Sequence, residues 1–310
     1  RRQTGVATYI RELRRALAGL EPGAIDAHFA TGPPGLPRRN RLTRVGNLVI
    51  DLVWLHVGVP AIARRRGAQV VHAPVNWLPW WSPHRSVVTV QDVAWERVPG
   101  AYPQFFRRYA RLFTRRSVRR ADAVITTSRS TAEDLIDLYD VDPGRISVVP
   151  IGVECDDAVS LDEREPFILH VGEFEPRKRV LELIAGHRTY LENARTGQET
   201  CRLVLAGSGG RLEHQVASAA GPECTILGFV SAQQLRDLYR RARLVVMPSR
   251  YEGFGMPIAE AMAHGCPASC WAISLPVIGA MVMPSPSWPV AIHSPSMPGH
   301  GPIHGAPSIE

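Results

Sequence analysis

The segment from residue 244 to residue 267 reads LVVMPSRYEGFGMPIAEAMAHGCP. Its first four residues are an apolar run that predicts a buried β-strand. Proline at the first helical position loses no hydrogen bond, so Pro257 marks the start of a helix. A strand, a loop with two glycines and a helix in this order are typical of a parallel α/β sheet that binds ligands beyond the strand.

Two glutamates, Glu252 and Glu260, accompany this loop. With the helix beginning at Pro257, Glu260 would lie in its first turn and Glu252 in the loop before it, so we expect both carboxylates to face one phosphate-sized pocket. For either glutamate alone, the simpler interpretation is a solvated side chain that complements the helix dipole, worth about 0.3 to 1 kcal/mol. The whole arrangement at the carboxyl end of a strand favours a binding site for an anion and sugar hydroxyls.

A second candidate segment, VGEFEPRKR at residues 171–179, follows the first predicted strand of the second half. Arg177 and Lys178 supply a forked donor and a point charge, a combination suited to neighbouring phosphates. Cations oppose the dipole at a helix N-terminus, so a solvated basic helix start is the weaker interpretation.

Short apolar runs alternate with longer segments of helical period along most of the 310 residues. Strands are predicted at residues 69–73, 87–90, 123–126, 146–149, 167–171, 202–206, 225–227 and 244–247, and helices near residues 6–19, 47–66, 103–120 and 131–139. The predicted fold class is α/β, with two Rossmann-like doubly wound domains facing a cleft.

The acidic, aperiodic stretch 154–166 separates the two halves of the pattern. We therefore expect a first domain at residues 1–153 and a second at residues 154–283. From residue 268 onward the only charged side chain is Glu310, and proline, glycine and serine are frequent. This composition is loop-like, and we expect an unpacked tail at residues 284–310.

The chain carries a net charge of +7 from 35 arginines, the single lysine Lys178 and 29 acidic residues. The arginines cluster at residues 38–44 and 107–120, so an anionic partner is expected. The predicted helix 103–120 is interpreted first as an amphipathic core helix with a solvated basic face, and second as a site of peripheral contact with an anionic membrane. Its expected apolar side comprises Phe105, Phe106, Tyr109, Leu112 and Phe113.

Five cysteines occur without a CxxC motif or a matching histidine spacing, which predicts neither a disulfide framework nor a zinc site. A reducing cytoplasm fits this cysteine usage, with the inner face of the membrane as the alternative location. We expect no secretory signal, because the first residues lack a basic segment, an apolar segment and a small-residue cleavage site in that order. The apolar stretch 268–283 is shorter than the roughly 18 residues of a membrane span and is interrupted by Pro276.

The segments 171–179 and 248–267, with residues 227–230 and 235–242 between them, resemble the retaining glycosyltransferases of the GT-B fold, family 4. The family's E-x7-E motif matches Glu252 and Glu260, and its Arg-Lys pair matches Arg177 and Lys178. Residues 5–10, 121–128 and 146–153 also resemble parts of the family's first domain and linker.

This resemblance implies transfer of a mannose-type or glucose-type sugar from a nucleotide diphosphate sugar to a glycan or lipid-linked acceptor. The anomeric configuration would be retained, and polysaccharide biosynthesis is the process that the resemblance implies. It implies that Arg177 and Lys178 neutralise the diphosphate and that Glu252 contacts the sugar. Substrate binding is implied for Gly5, Gln91, Asp92, Gly172, Phe254, Gly255, Met256 and Glu260. No metal or other cofactor is expected, because fixed cations and backbone amides can stabilise the leaving diphosphate.

The chain departs from the family pattern in three places. Gln91 stands where many relatives have a histidine before Asp92, and glutamine can donate a hydrogen bond but cannot carry a proton. The strand expected before Gly5 is missing, and the pattern degrades after Pro267. We therefore expect that the chain is truncated at both ends. At the C-terminal end, the expected cause is a truncation or a frameshift near Pro267.

Three alternatives stay open at this point. One is an inactive truncated relative, and another is a basic protein that binds a membrane or another polyanion. Nucleic acid is not expected as a partner, since no recognised nucleic-acid-binding motif occurs in the sequence. The third is a sugar-nucleotide epimerase or hydrolase, which would need an acid and base pair in the cleft that the sequence does not obviously offer.

Overall fold

The computed structural model describes residues 5–21, 23–36, 41–154, 163–197 and 199–270. Two parallel sheets organise this part of the chain. The predicted tail 284–310 and most of the stretch 154–166 lie outside the described residues. Within the described part, every helix is too short or too polar to cross a bilayer.

The first sheet has four strands in the spatial order β1-β2-β3-β4. Its β-branched and apolar residues favour extended backbone, and its central strands β2 and β3 bury Val88, Val90 and Val124 completely. The strands are β1 (Val70–Ala73), β2 (Arg85–Val90), β3 (Ala123–Thr126) and β4 (Ile146–Val148).

The second sheet has five strands in the spatial order β7-β6-β5-β8-β9. The order reverses at β5, which has β6 on one side and β8 on the other. The crevice beyond the carboxyl ends of β5 and β8 is the place where open α/β sheets bind ligands. These strands are β5 (Glu165–Val171), β6 (Arg202–Ala206), β7 (Cys224–Gly228), β8 (Ala242–Met247) and β9 (Ala268–Cys270).

Helices cover both faces of the second sheet. Alternate residues of β6 point to opposite faces, so Leu203 packs with helices α7 and α8, whereas Val204 packs with α9 and α10. The α/β prediction is therefore confirmed. The helices are α1 (Gly5–Ala18), α2 (Arg41–Val53), α3 (Val59–Arg65), α4 (Ala94–Arg97), α5 (Gln104–Arg120), α6 (Arg129–Tyr139), α7 (Val180–Glu192), α8 (Glu213–Ala219), α9 (Ala232–Arg241) and α10 (Met256–Ala263).

The eight predicted strands are all present, but two other expectations were wrong. Residues 268–270, predicted as loop, form β9 and pair in parallel with β8. The helix predicted at 47–66 is confirmed, since residues 41–65 are helical throughout, with a π-helical segment, Trp54–Gly58, between α2 and α3 near Pro60, which has no N–H to donate.

The second wrong expectation concerns the buried face of α5. The structure exposes Phe105 by 76% and Leu112 by 59%, and α5 instead buries four smaller side chains. Small side chains allow the helix backbone to approach the first sheet closely, and the aromatic rings of Phe106, Tyr109 and Phe113 lie along its flank. The buried residues are Ala110, Thr114, Ser117 and Val118.

A buried arginine joins the C-terminal ends of two helices to the second sheet. Arg164 is 3% exposed. Its guanidinium donates hydrogen bonds of 2.8 to 3.0 Å to carbonyl oxygens at the ends of α9 and α10, those of Tyr239, Arg240, Ala242 and His264. These carbonyls belong to the last turns, which have no partners within their helices.

Replacing Arg164 by methionine should lower the free energy of unfolding by about 3 kcal/mol, because it leaves buried carbonyl groups without donors. Urea denaturation followed by circular dichroism measures the change. The control Arg202→Met removes an exposed partner of Glu165 and should change stability by less than about 1 kcal/mol. Equal effects of the two substitutions would contradict the role assigned to Arg164.

Candidate functional site

The two candidate segments emerge from neighbouring strands. Strand β5 leads to a 3-10 turn, Pro176–Lys178, and β8 leads to the loop that contains Glu252. Leu169 of β5 is in register with Val245 of β8, so the strands end at the same edge of the sheet. Both segments therefore lie at the crevice where the strand order reverses.

Two cations converge on one carboxylate oxygen in this crevice. Lys178 Nζ donates to Glu252 Oε1 at 2.6 Å, and Arg177 donates to the same oxygen at 3.1 Å. The side chains are 9% exposed for Lys178, 23% for Arg177 and 17% for Glu252. A largely buried carboxylate thus contacts two cations at once.

Burial is the largest influence on the protonation of both Lys178 and Glu252. It lowers the pKa of Lys178, and the attraction of Glu252 offsets part of this change. Burial alone would raise the pKa of Glu252, but Lys178 and Arg177 together outweigh it, so the pKa of Glu252 is lowered. The carboxylate therefore stays charged and holds the two cations that an incoming anion would need.

Backbone hydrogen bonds hold the two loops together. The N–H of Arg250 donates to the carbonyl oxygen of Arg177 at 2.9 Å, and the Arg177 guanidinium donates to the carbonyl oxygen of Tyr251 at 3.3 Å. After Lys178 the chain turns into α7 through Arg179, which has a left-handed backbone with φ of 54°. The cations are thus fixed by main-chain contacts as well as by Glu252.

Gly172 lies directly beside Lys178. Its φ of 149° is in the region that favours glycine, and a Cβ there would lie 3.5 Å from Lys178 Cε. A Cβ on Gly207, at the end of β6, would lie 1.9 Å from the carbonyl oxygen of Gly172. The backbones at the ends of β5 and β6 can approach this closely because residue 207 is glycine, whereas Gly172 is favoured by its backbone conformation.

The second glutamate of the motif has different partners. Helix α10 begins at Met256, one residue earlier than predicted, with Gly255 as its N-cap at φ of 78° and Pro257 in second place. Glu260 therefore lies beyond the first turn, and the expectation that it would lie in that turn was wrong. Its Oε2 accepts a hydrogen bond from Tyr239 Oη at 2.8 Å. Burial raises the pKa of Glu260.

Gln91 and Asp92 follow β2 and meet the Glu252 loop from the first sheet. A Cβ on Gly253 would lie 2.2 Å from the carbonyl oxygen of Gln91 and 2.8 Å from Asp92 Cβ. The N–H of Gln91 donates to Asn76 Oδ1 at 3.1 Å, and Asp92 Oδ1 accepts from the N–H of Ala94 at 3.1 Å. Burial raises the pKa of Asp92, whereas the N–H of Ala94 and the charge of Arg177 lower it. The structure thus brings Gln91 and Asp92 to the same crevice as Glu252.

The remaining predicted site residues lie at helix N-termini. Phe254, Gly255 and Met256 form the turn that opens α10, between Glu252 and Glu260 along the chain. Gly5 is the first residue of α1, where a Cβ would meet no atom within 4 Å. Helix α1 is held to β2 by a hydrogen bond of 2.8 Å between Tyr9 Oη and Thr89 Oγ1. The role of Gly5 toward a donor stays a prediction.

Two tyrosines that touch the site were not predicted from the sequence. Tyr239 binds the Glu260 carboxylate, and the signal for it was its place on the buried side of the amphipathic helix α9. Tyr251 Oη donates to Asp134 Oδ2 at 2.6 Å, across to helix α6 of the first half. No local sequence pattern predicts that contact, because its two partners are 117 residues apart in the chain.

A cavity of about 400 Å³ lies elsewhere on the second sheet. It is lined by Phe167, Val204, Leu227, Phe229 and neighbouring residues of β7 and α9, and none of the candidate site residues contributes to it. The concentration of charge, and not this cavity, therefore marks the candidate site.

Two family models match the chain. The model described as Glycosyltransferase Family 4 matches residues 3–157, half of the chain, and the model described as Glycosyl transferases group 1 matches residues 155–275. A sucrose-phosphate synthase structure from Thermosynechococcus elongatus superposes with a TM-score of 0.60 at 21% identity, covering 86% of this chain and 75% of that one.

Curated relatives agree with these matches. The D-inositol 3-phosphate glycosyltransferase of Gordonia bronchialis is 26% identical over 272 residues, which are 80% of this chain and 56% of the relative. The O-antigen chain mannosyltransferase RfbU of Salmonella typhimurium is 29% identical over 189 residues, which are 58% of this chain and 50% of the relative. The chain thus spans about half the length of these relatives. It belongs to the group 1, family 4 glycosyltransferases, and its two parallel α/β sheets are the fold of that family.

Proposed function

We propose that the protein transfers a sugar from a nucleotide diphosphate sugar to an acceptor, with retention of the anomeric configuration. The observation that carries this proposal is the convergence of Arg177 and Lys178 on Glu252 at the point where the strand order of the second sheet reverses. A site with two fixed, largely buried cations suits a diphosphate, which presents neighbouring negative oxygens.

In the proposed reaction the diphosphate of the donor replaces Glu252 as the counter-anion of the two cations. As the bond between the sugar carbon and the diphosphate breaks, the acceptor hydroxyl bonds to that carbon, and the diphosphate leaves with the electron pair and takes up the hydroxyl proton. Cations already aimed at the negative charge that develops on the leaving group lower the barrier. The released Glu252 carboxylate can then accept hydrogen bonds from the sugar hydroxyls.

The N-terminus of α10 contributes donors of a second kind. Backbone N–H groups of Phe254, Gly255 and Met256, with the positive end of the helix dipole, would bind phosphate or sugar oxygens. Tyr239 holds one carboxylate oxygen of Glu260, which orients the other toward the ribose hydroxyls. Gly172 would allow the diphosphate to approach Lys178 closely. Gly5, Gln91 and Asp92 would complete the site from the first half.

The sugar is proposed to be of the mannose or glucose type and the acceptor a glycan or lipid-linked glycan, as in polysaccharide synthesis at the cytoplasmic side of a membrane. The name of one relative, an O-antigen chain mannosyltransferase, supports a mannose-type sugar and a glycan acceptor, whereas that of the other, a D-inositol 3-phosphate glycosyltransferase, supports only a hydroxyl-bearing acceptor. The positive charges of Arg177 and Lys178 would stabilise the leaving diphosphate, as a metal ion can in other enzymes. We therefore expect EDTA to leave the rate of transfer unchanged.

Calorimetric titration with UDP, GDP and ADP tests the donor site, and at least one of them should bind with Kd in about the micromolar range. Incubation with the labelled donor, with and without acceptor, then separates transfer from hydrolysis or epimerisation. Absence of binding by all three nucleotides at millimolar concentration would overturn the proposal and favour the inactive relative.

We propose that exposed aromatic residues, and not α5 as a whole, make the membrane contact. Several cations of α5 have partners within the fold: Arg111 pairs with Glu96, and Arg116 and Arg120 donate to the Trp80 carbonyl oxygen at 2.8 and 2.7 Å. The Trp80 and Trp81 side chains stay 47% and 60% exposed. Arg116 and Arg64 lie 5.2 and 5.7 Å from the respective ring centroids, and such a mixture of indoles and arginines suits anionic lipid headgroups.

The protein should therefore co-sediment with vesicles that contain phosphatidylglycerol but not with pure phosphatidylcholine vesicles. Replacing both Trp80 and Trp81 by alanine should reduce the sedimented fraction at least about fivefold, because the indoles supply the buried apolar area. The control Phe105→Ala removes an exposed ring at the far end of α5 and should have no effect. Sedimentation that ignores lipid charge would exclude this contact.

A further inference from the structure

The side chain of Tyr251 connects the Glu252 loop to the first half of the molecule. Tyr251 Oη donates to Asp134 Oδ2 on α6 at 2.6 Å. Its ring packs against the hydrophobic core of the first sheet, which includes Trp95, Leu135 and Tyr139. Tyr251 thus belongs to the second half by chain position and to the first half by its side-chain contacts.

The acceptor of this hydrogen bond is itself fixed. Asp134 is 4% exposed, and its Oδ1 accepts a hydrogen bond from Arg97 Nε at 2.5 Å. Burial raises the pKa of the Tyr251 phenol, and the neighbouring Asp134 carboxylate raises it further, so the hydroxyl keeps its proton and acts as the donor. The contact is therefore a buried, charge-assisted hydrogen bond, which is stronger than one between neutral groups.

The backbone of Tyr251 and the two residues that follow it connect this side chain to the candidate site. The Tyr251 carbonyl oxygen accepts from the Arg177 guanidinium at 3.3 Å, and the next residue, Glu252, holds both Arg177 and Lys178. Gly253 then abuts the backbone of Gln91 so closely that a Cβ there would lie 2.2 Å from its carbonyl oxygen. Residues 251–253 together thus contact both halves of the molecule at the crevice.

We infer that Tyr251 is a positioning residue that fixes the Glu252 loop against the first half through its hydrogen bond to Asp134. This inference rests on the proposed transferase function, in which Glu252 must give up the cations to the donor and then meet the sugar in a defined place. The first half would supply that place through the Tyr251 side chain. Nucleotide binding, which depends on Arg177 and Lys178, should need this anchor much less.

The variant Tyr251→Phe removes the hydroxyl and keeps the ring in the first core. It should lower kcat about tenfold, as expected for loss of the charge-assisted hydrogen bond to Asp134 together with the longer one of 3.5 Å that the N–H of Val93 donates to the Tyr251 hydroxyl. It should change the Kd of the nucleoside diphosphate less than about twofold. The matched control is Tyr190→Phe, which removes a hydroxyl that accepts from the N–H of Cys201 within the second half. It should leave kcat unchanged.

Substitutions at Asp134 test the partner. Asp134→Asn keeps an oxygen that can accept the tyrosine hydrogen bond, so it should retain most of the kcat that Asp134→Leu loses. Combining Tyr251→Phe with Asp134→Leu should add less than about twofold to the loss from Asp134→Leu alone, because both remove the same contact.

Hydrogen exchange gives a readout that does not depend on catalysis. Tyr251→Phe should increase deuterium uptake in peptides covering residues 250–255, whereas Tyr190→Phe should not. Wild-type kcat and wild-type exchange in Tyr251→Phe would overturn the inference. If the wild type binds no nucleotide and transfers no sugar, the proposed function fails, but the exchange experiment still decides whether Tyr251 anchors the loop.

Discussion

Replacing Lys178 by methionine is expected to lower kcat/KM about 100-fold or more, since one donor aimed at developing charge has roughly that value in comparable sites. Methionine has a similar length and fills the same buried space, so packing beside Gly172 should be kept. The charge that Lys178 directs into the crevice would be lost. Steady-state kinetics with the labelled sugar donor, together with calorimetric titration of the nucleoside diphosphate, measures both consequences.

The control for this substitution is Arg188→Met, which removes an exposed cation from α7 of the same sheet. Arg188 donates to the carbonyl oxygen of Ala219 and has no contact with Glu252. Its replacement should leave kcat/KM within about twofold of the wild type. A similar loss in both variants would show that only net charge matters, and not the fixed position of Lys178.

Replacing Glu252 by glutamine is expected to change binding and catalysis in opposite directions. The substitution removes the carboxylate that competes with the donor for Arg177 and Lys178, so the nucleoside diphosphate should bind up to about tenfold more tightly. Transfer should nevertheless fall about 100-fold, because the charged contact to the sugar in the transition state is lost. Calorimetry and kinetics on the same preparation give both numbers.

Thermal unfolding in the presence and absence of nucleotide serves as the control for Glu252→Gln. Without nucleotide the two cations would be left near each other in a buried site, so Tm should fall, and saturating nucleoside diphosphate should restore most of the loss. Weaker nucleotide binding in this variant would contradict the idea that Glu252 occupies the place of the diphosphate.

Most of the α/β framework could be predicted because its signals are local. Buried parallel strands require short runs of β-branched or apolar residues, and all eight such runs became strands. Strand β9 has only three residues, Ala-Ser-Cys, whose composition carries no strand signal, and its pairing with β8 decides its conformation. Tertiary pairing overrides propensity in such a short segment.

The face of α5 shows the limit of counting hydrophobic residues. Its large apolar side chains predict one buried face, but Ala110 and Thr114 are fully buried while Phe105 is exposed. Distance between a helix and a sheet depends on side-chain size, which a hydrophobic period does not contain. The same residues, read for size, would have favoured the observed face.

Some parts of the candidate site could likewise be predicted from the sequence, and others could not. Arg177, Lys178 and Glu252 could be predicted because each follows a strand, and parallel strands bring their carboxyl ends to one edge. The start of α10 was shifted by one residue, because the left-handed backbone of Gly255 makes Met256 the first helical residue, and this moves Glu260 out of the first turn. The Tyr251 contact depends on how the two halves meet, which no local pattern encodes.

Arg177 and Lys178 are proposed to form the diphosphate site for a sugar-nucleotide donor. The most direct test compares, by calorimetry, the diphosphate and the monophosphate of the preferred nucleoside in the wild type and in Lys178→Met. The wild type should bind the diphosphate at least about tenfold more tightly than the monophosphate, and this preference should largely disappear in the variant. Equal affinity for the two nucleotides in the wild type, or an undiminished preference in the variant, would contradict it.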